Sequence, residues 1–479
     1  MDQTVARVRV ALRASVKPDL QTLLLFESQH SEHPSSRISY LAACPRRELR
    51  VQGSLIRITD GSLMGTAGRT EDFSDPWSAL EAIRSGEEWV FGYIGYDIKN
   101  SIEPSLSSAN PALIDAPDLY MFQPGLLLEI GERGVMILRD DLGLMGDSIE
   151  GGESIEGGDS MEGGDSMEGG DSMEGGESVD VVDGEVSEKA EENGEAKPVD
   201  VTVDRRFRVS QLCPLINPKQ YRDAIASIQS DISEGEYYEL NFSYPLEGVF
   251  EGDAYALYRS IRSRNPVPFG VYLEMVDLAV VCASPERYLR CEGGRLLSEP
   301  IKGTAARKSN REEDEREKST LLNEKNRAEN VMIVDLVRHD FSRVCTAGSV
   351  TVEDLFEIQS FGTVHQLISR VTGQLEPGNS VMDAVRVSFP MGSMTGAPKL
   401  RVMQRIEELE CYKRGIYSGA FGYFSPAGVA DLNVVIRTAM IQRGRLVYPV
   451  GGAIVSDSMA DEEWAETRVK AKIVLDVCD

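Results

Sequence analysis

Histidine, paired cysteines, long apolar runs and surplus basic charge are what this chain lacks. It has four histidines in 479 residues, and none clusters with cysteine, so a zinc site is not expected. Its seven cysteines, at 44, 213, 282, 291, 345, 411 and 478, include no CxxC pair. They read as free or buried thiols of a reducing cytosol. No apolar run approaches the ~18 residues of a membrane span. The opening MDQTVARVRVALRASVKPDL alternates charged and apolar residues without an h-region, so no signal peptide is expected and the location is read as cytoplasmic. Fifty bases against 78 acids leave a net charge of −28, which argues against nucleic acid and anionic membranes as partners.

Hydrophobic residues make up 41% of the chain, enough for a sizeable core in three average domains or one large two-part enzyme. The negative charge is concentrated. Residues 147–200 hold 19 acids and two lysines, leaving −11 for the remainder. Within them runs a hexapeptide repeat of the DSMEGG type, from Asp147 to Gly176. Paired glycines and mutually repelling acids oppose regular structure. A calcium-binding β-roll needs nonapeptides with large stacking apolar residues, whereas each repeat here has one Ile or Met. The pattern therefore predicts three segments: residues 1–145, a disordered acidic insertion over 146–204, and 205–479.

The runs LQTLLLF (20–26) and WVFGYIGYDI (89–98) read as strands. Residues 219–233 place Tyr221, Ile225, Ile228 and Ile232 on one helical face. Further helices are expected over 323–338 and about 460–477, with strand-like runs between them, Arg437 lying inside one, LNVVIRTAMI. Strands and helices in blocks predict an α+β fold, with antiparallel sheets and no double winding.

Several constellations point to chemistry. On the last helix, which opens with the capping pattern Ser458-x-x-Asp461, Glu463, Glu466 and Lys470 share a face. The preceding Gly451–Gly452 permits close backbone approach to a ligand. With Glu329 from the 323–338 helix, these acids form an oxygen-donor set suited to Mg²⁺. Gly392, Ser393, Thr395 and Gly396 precede Pro398 at the start of an amphipathic helix, an arrangement that suits an anion. Lys302, in SEPIKGTAAR, reads either as a solvated surface charge or as a desolvated nucleophile at a pocket lip. Arg437 must pair with an anion or emerge at a solvent face. His365 reads equally as a core histidine or as a catalytic group.

Together the motifs ASPER (283–287), PIKGT (300–304), RAENVMIVDLVRHD (327–340), GTVHQL (362–367), FPMGSMTGAPK (389–399), RGIYSGAFGYF (414–424) and ETRVKAK (466–472) resemble the chorismate-binding enzymes. That family includes anthranilate-, aminodeoxychorismate- and isochorismate-forming synthases. The resemblance covers 215–477, and WVFGYIGYDIKNSIE (89–103) with DLYMFQP (118–124) extends it toward the aminodeoxychorismate branch. It implies antiparallel sheets packed as a sandwich with helices outside.

The resemblance also implies roles. Mg²⁺ on Glu329 and Glu466, with Glu463 alongside, binds the ring carboxylate of chorismate. Arg437 and Tyr417 hold the enolpyruvyl carboxylate. Gly451, Gly452, Ser393 and Thr395 line the pocket, with Thr304 and Lys470 also on the substrate, and His365 serves as general acid. Lys302 stands where anthranilate-forming members resemble PIAGT; the lysine of the aminodeoxychorismate branch attacks C2, ammonia then attacks C4, and Glu286 acts as base. A neutral, pKa-depressed Lys302 is therefore expected. Glu239 takes the place of the lysine base of water-adding members and of the glutamine common in ammonia-using ones. Asn326 stands where relatives have an acid.

No glutaminase signature is visible, so ammonia is expected from a separate glutamine amidotransferase subunit. Residues 25–38 resemble the family's tryptophan-pocket segment, with candidates Ser28, Ser35, Ser36, Arg37 and Ile38, joined by Pro268, Phe269 and Gly270 of NPVPF. The alternatives are an anthranilate-forming enzyme and an inactive tryptophan-sensing member.

Overall fold

The computed structural model describes residues 1–17, 21–28, 38–61, 69–84, 88–132, 134–145, 206–360 and 364–478. The acidic insertion expected over 146–204 lies outside them. Among the described residues, 21 strands hydrogen-bond into one continuous network. Neighbouring strands run antiparallel, as in the ladders on either side of Leu23–Glu27.

The two sequence parts are interleaved in this network. Leu23–Glu27 lies between Ser39–Gln52 and Phe269–Glu274. Val90–Ile94 lies between Leu119–Gly131 and Ala420–Phe424. Every residue of Leu23–Glu27 is buried, because its two faces serve different cores. Leu24 and Phe26 join a core with Phe91, Tyr120, Val271 and Phe421. Leu23 and Leu25 join another with Leu41, Tyr221, Tyr244 and Leu257. Successive side chains of a strand point to opposite faces, so a strand apolar throughout belongs between two packed layers. This is the expected α+β sandwich.

Helices cover the outer faces. Pro218–Ser233 starts at a capping box formed by Asn217 and Gln220, and buries Tyr221, Ile225 and Ile228. Ala254–Arg264 and Ala460–Leu475 pack on the same core through Leu257 and Val474. The helix Glu324–Ser342, capped by Asn323, lies against the strands Ile301–Ala306 and Val364–Gln374.

Three local features differ from the sequence reading, and each shapes the site. Arg437 is not inside a strand. The run divides into Ala430–Asn433, paired with Arg287–Glu292, and Thr438–Gln442, paired with Leu278–Ser284. Both partners break at the same level, where Val434 N donates to Glu286 O and Ala283 N to Arg437 O. Arg437 sits at this kink with φ +52°. Pro398 precedes the helix Lys399–Leu409 as its cap residue. The small residues before it form a turn at Gly392–Met394 and a short strand, Gly396–Ala397, paired with Leu240 and Glu239. Gly396, at φ +142°, is required there, since a Cβ would lie 2.0 Å from the Glu239 carbonyl oxygen. Finally, the last helix is capped by Met459 without a side-chain bond. Ser458 Oγ donates instead to Glu463 Oε1 at 2.8 Å.

Candidate active site

Lys302 is the centre of the constellation. It lies on Ile301–Ala306, before the bulge at Gly303. Its side chain is 10% exposed and donates to Glu239 Oε1 at 3.0 Å, with Glu329 Oε2 at 3.8 Å. The depressed pKa expected from desolvation is corrected by these neighbours. Burial is the largest influence and lowers it, but Glu239, Glu329 and Glu286 together raise the amine above its ordinary value. Lys302 is an ammonium in this state.

Glu286 comes from the kink opposite Arg437. Burial pushes its carboxyl up to about 7, against the opposing pull of a Ser393 hydrogen bond, Lys302, Arg437 and the Ile301 backbone. Burial lowers the Arg437 guanidinium, offset by Tyr448 and Glu286. Tyr448 feels both Arg437 and Tyr417, so Tyr417 belongs to the same corner. A small cavity reaches Glu286, Gly392 and Ser393. Lys302 and Arg437 are not part of its lining, and it meets the charged cluster at the Glu286–Ser393 edge.

The raised Glu286 carboxyl gives a pH prediction. Between pH 4.5 and about 7 the folded state keeps a proton that the unfolded chain has lost. Stability from this group is complete below that window and is lost as pH rises through it. Glu286→Gln is expected to remove the loss. In urea denaturation the variant should gain on the parent chain across the window, by roughly 3 kcal/mol at pH 8. A difference that does not change with pH would refute it.

The predicted metal ligands face one another across two helices. Glu463 is 5% exposed and accepts from Lys325 Nζ at 3.4 Å, and the same ammonium is 4.0 Å from Glu329 Oε1. Burial, Glu239 and Glu463 raise the Glu329 carboxyl, against Lys302 and Lys325. Glu466 is half exposed and pairs with Lys470 at 2.8 Å. Burial opposes its ionisation, yet Lys470, Lys325 and Lys302 hold it below its ordinary value. Lys470 also donates to Gly451 O at 2.9 Å. A side chain at Gly452 would begin at ordinary contact distance, 3.6 Å from Glu463 Oε2 and 3.7 Å from Lys470 Nζ, which places this strand beside the acids. Among the described residues no three acids already stand in ligating arrangement. The fit lies in the donor set: Glu329 and Glu463 converge on one cation position, which the Lys325 ammonium marks.

Other predicted residues fall outside the cluster. His365 is buried, with Nδ1 2.7 Å from Ser360 Oγ and Nε2 3.0 Å from Asp314 Oδ1. Both ring nitrogens are engaged by Ser360 and Asp314, and neither by Glu239, Glu286 or Glu329. Thr395 Oγ1 donates to Met391 O, closing its own turn. Thr304 is exposed beyond the Gly303 bulge. Of the tryptophan-pocket candidates, Ser35, Ser36 and Arg37 lie outside the described residues. Ser28 directly follows Glu27, which pairs with Gly270, so Ser28 is brought close to Phe269 and Gly270. Ile38 is 41% exposed.

A family model described as chorismate binding enzyme matches residues 56–476. The chain belongs to this family. Two curated relatives match about half of it. An aminodeoxychorismate synthase of Streptomyces griseus is 46% identical over 261 residues, covering 54% of this chain and 36% of that one. An anthranilate synthase component 1 of Aquifex aeolicus is 39% identical over 258 residues, covering 54% and 52%. The chain thus spans about half the length or less of these relatives. The crystal structure of anthranilate synthase component I from Streptococcus pneumoniae TIGR4 superposes with a TM-score of 0.71 at 25% identity, over 92% of this chain and 93% of that one.

Within this chorismate-binding fold, two residues escaped the sequence-derived site. Lys325 was legible as the i−4 partner of Glu329 on one helix. Glu239 stood out only as a departure from the family pattern, and its contact with Lys302 crosses 63 residues. No helix among the described residues is long and apolar enough to cross a membrane.

Proposed function

We propose that the chain converts chorismate and ammonia to 4-amino-4-deoxychorismate, with Lys302 as nucleophile. The observation that carries this reading is Lys302 Nζ, enclosed by Glu239, Glu329 and Glu286. An alanine here, as the anthranilate-forming pattern has it, would leave buried Glu239 without its counter-charge.

The Lys302 ammonium first passes its proton to Glu286, whose carboxyl near 7 can hold or release it at neutral pH. The free amine forms a bond to C2 as the C4–O bond breaks, and the same proton leaves with the hydroxyl as water. Ammonia then bonds to C4, and the C2–N bond breaks to free the lysine. Arg437, with Tyr417 in the same corner, is suited to the enolpyruvyl carboxylate, being a buried guanidinium whose charge Tyr448 and Glu286 answer only in part. Mg²⁺, held by Glu329 and Glu463 with Glu466 after it releases Lys470, would neutralise the ring carboxylate.

The ammonia source is read as a glutamine amidotransferase subunit, in keeping with the component 1 name of the Aquifex relative. The seven free cysteines suit a reducing cytoplasm. Tryptophan is a candidate ligand near Ser28 and Phe269.

Product identification tests the proposal. Chorismate, ammonium and Mg²⁺ with the purified chain should yield 4-amino-4-deoxychorismate, and a chelator should suppress it. Fluorescent anthranilate with pyruvate would assign the chain to the sister activity, and tryptophan binding without turnover to an inactive sensor.

A further inference from the structure

We infer that Tyr448 is a further substrate-binding residue, its hydroxyl joining Arg437 in holding the enolpyruvyl carboxylate. This rests on the proposed function and extends it to a residue that none of the motifs above contains. Tyr448 lies on Arg445–Ile454, which pairs with Thr438–Gln442 with Met440 opposite Val447. Continued by one residue, that register sets Tyr448 opposite Ala439, two residues beyond Arg437 at the kink. Tyr448 is 1% exposed, yet its hydroxyl is a buried group with no hydrogen-bond partner among the described residues. Burial pushes the phenol above its ordinary range, against Arg437, so the hydroxyl keeps its proton and is a donor. A phenylalanine would fill the same place without the cost of an unpaired buried hydroxyl. The oxygen is explained by a partner that arrives with the substrate.

The neighbouring guanidinium says what that partner is. Among the described residues the Arg437 side chain has no hydrogen bond or ion pair. The acid that faces it, Glu286, is engaged by Ser393 and the Ile301 backbone. Two unpaired donor groups, one of them charged, call for a group with two acceptor oxygens and a negative charge, which a carboxylate supplies. A water molecule would accept from the hydroxyl but leave the guanidinium's charge unanswered. The hydroxyl is closed to water in the free protein. Binding therefore includes a small shift at this corner, for which the Arg437 side chain, held by no hydrogen bond, is the group.

The test is isothermal titration calorimetry of the full chain with Mg²⁺ and no ammonium. The two probes are chorismate and its ester in which a methyl group caps the enolpyruvyl carboxylate. Tyr448→Phe removes only the hydroxyl. Its Kd for chorismate should rise about tenfold or more, and its Kd for the ester by less than about twofold. Its urea midpoint should match or exceed the parent's, since the free protein gives the hydroxyl no partner. A chorismate Kd within about threefold of the parent's overturns the inference and leaves the proposed function standing. An equal loss for acid and ester, or a lower urea midpoint, also overturns it. If the phenylalanine variant does not fold, Tyr448→Met, which also lacks the hydroxyl, decides by the comparison of acid with ester alone. A parent chain that binds chorismate but forms another product overturns the proposed function, and the same comparison still decides this inference. A parent chain that binds no chorismate removes both together.

Discussion

Lys302→Ala is expected to reduce 4-amino-4-deoxychorismate formation by about 10³-fold or more, because it removes the only group proposed to bond to C2. The change has a second cost. Lys302 is the hydrogen-bond partner of Glu239, which has no exposed side-chain surface. Its loss leaves a buried carboxylate uncompensated, a situation that costs several kcal/mol. Lys302→Arg separates the two effects. A guanidinium preserves the positive charge and the pairing but is not a nucleophile. The arginine variant should therefore keep most of the stability, measured by urea denaturation, while losing as much activity as the alanine variant. An arginine variant within a few-fold of the parent in turnover would show that only the charge matters, and the covalent role would be abandoned.

Arg414→Met is expected to cost about 3–5 kcal/mol in urea denaturation. Arg414 and Glu410 form a pair in which each side chain is 1% exposed. The guanidinium also donates to Met394 O at 2.7 Å and Asn241 O at 2.8 Å, and it lies over the Tyr96 ring at 4.7 Å. Glu410 Oε1 accepts from both the amide and the hydroxyl of Ser243. One ion pair thus fastens the Ser393–Gly396 segment to the strand that carries Glu239 and Asn241. Replacing Arg414 alone strands Glu410 in the interior. Replacing both by Met and Leu removes the two charges together and should cost less than the single change. A double variant at least as unstable as Arg414→Met would contradict this account.

The sandwich was legible because its signals are local: doubly apolar strands such as Leu23–Glu27, and helices such as Pro218–Ser233 whose caps and faces lie within one window. The acids Glu329, Glu463 and Glu466 were legible through helical spacing, and Lys302 and Glu286 through the family motifs. The charge state of Lys302 was not. It depends on Glu239, 63 residues away, and on Glu329 from another helix. The interruption at Arg437 was hidden for a similar reason. LNVVIRTAMI is a good strand by composition, and it breaks only because its two partners break beside it. His365 matches a catalytic motif, yet a serine and an aspartate from other segments hold both of its nitrogens.

The zipping of Leu23–Glu27 onto Phe269–Glu274, and of Val90–Ile94 onto Ala420–Phe424, bears on how this protein can be dissected. A fragment trimmed to residues 206–478 would leave both ladders with raw margins ready to glue to strangers. Dissection is better done by nicking than by trimming: co-expressed halves should re-knit, each supplying the hem the other is missing.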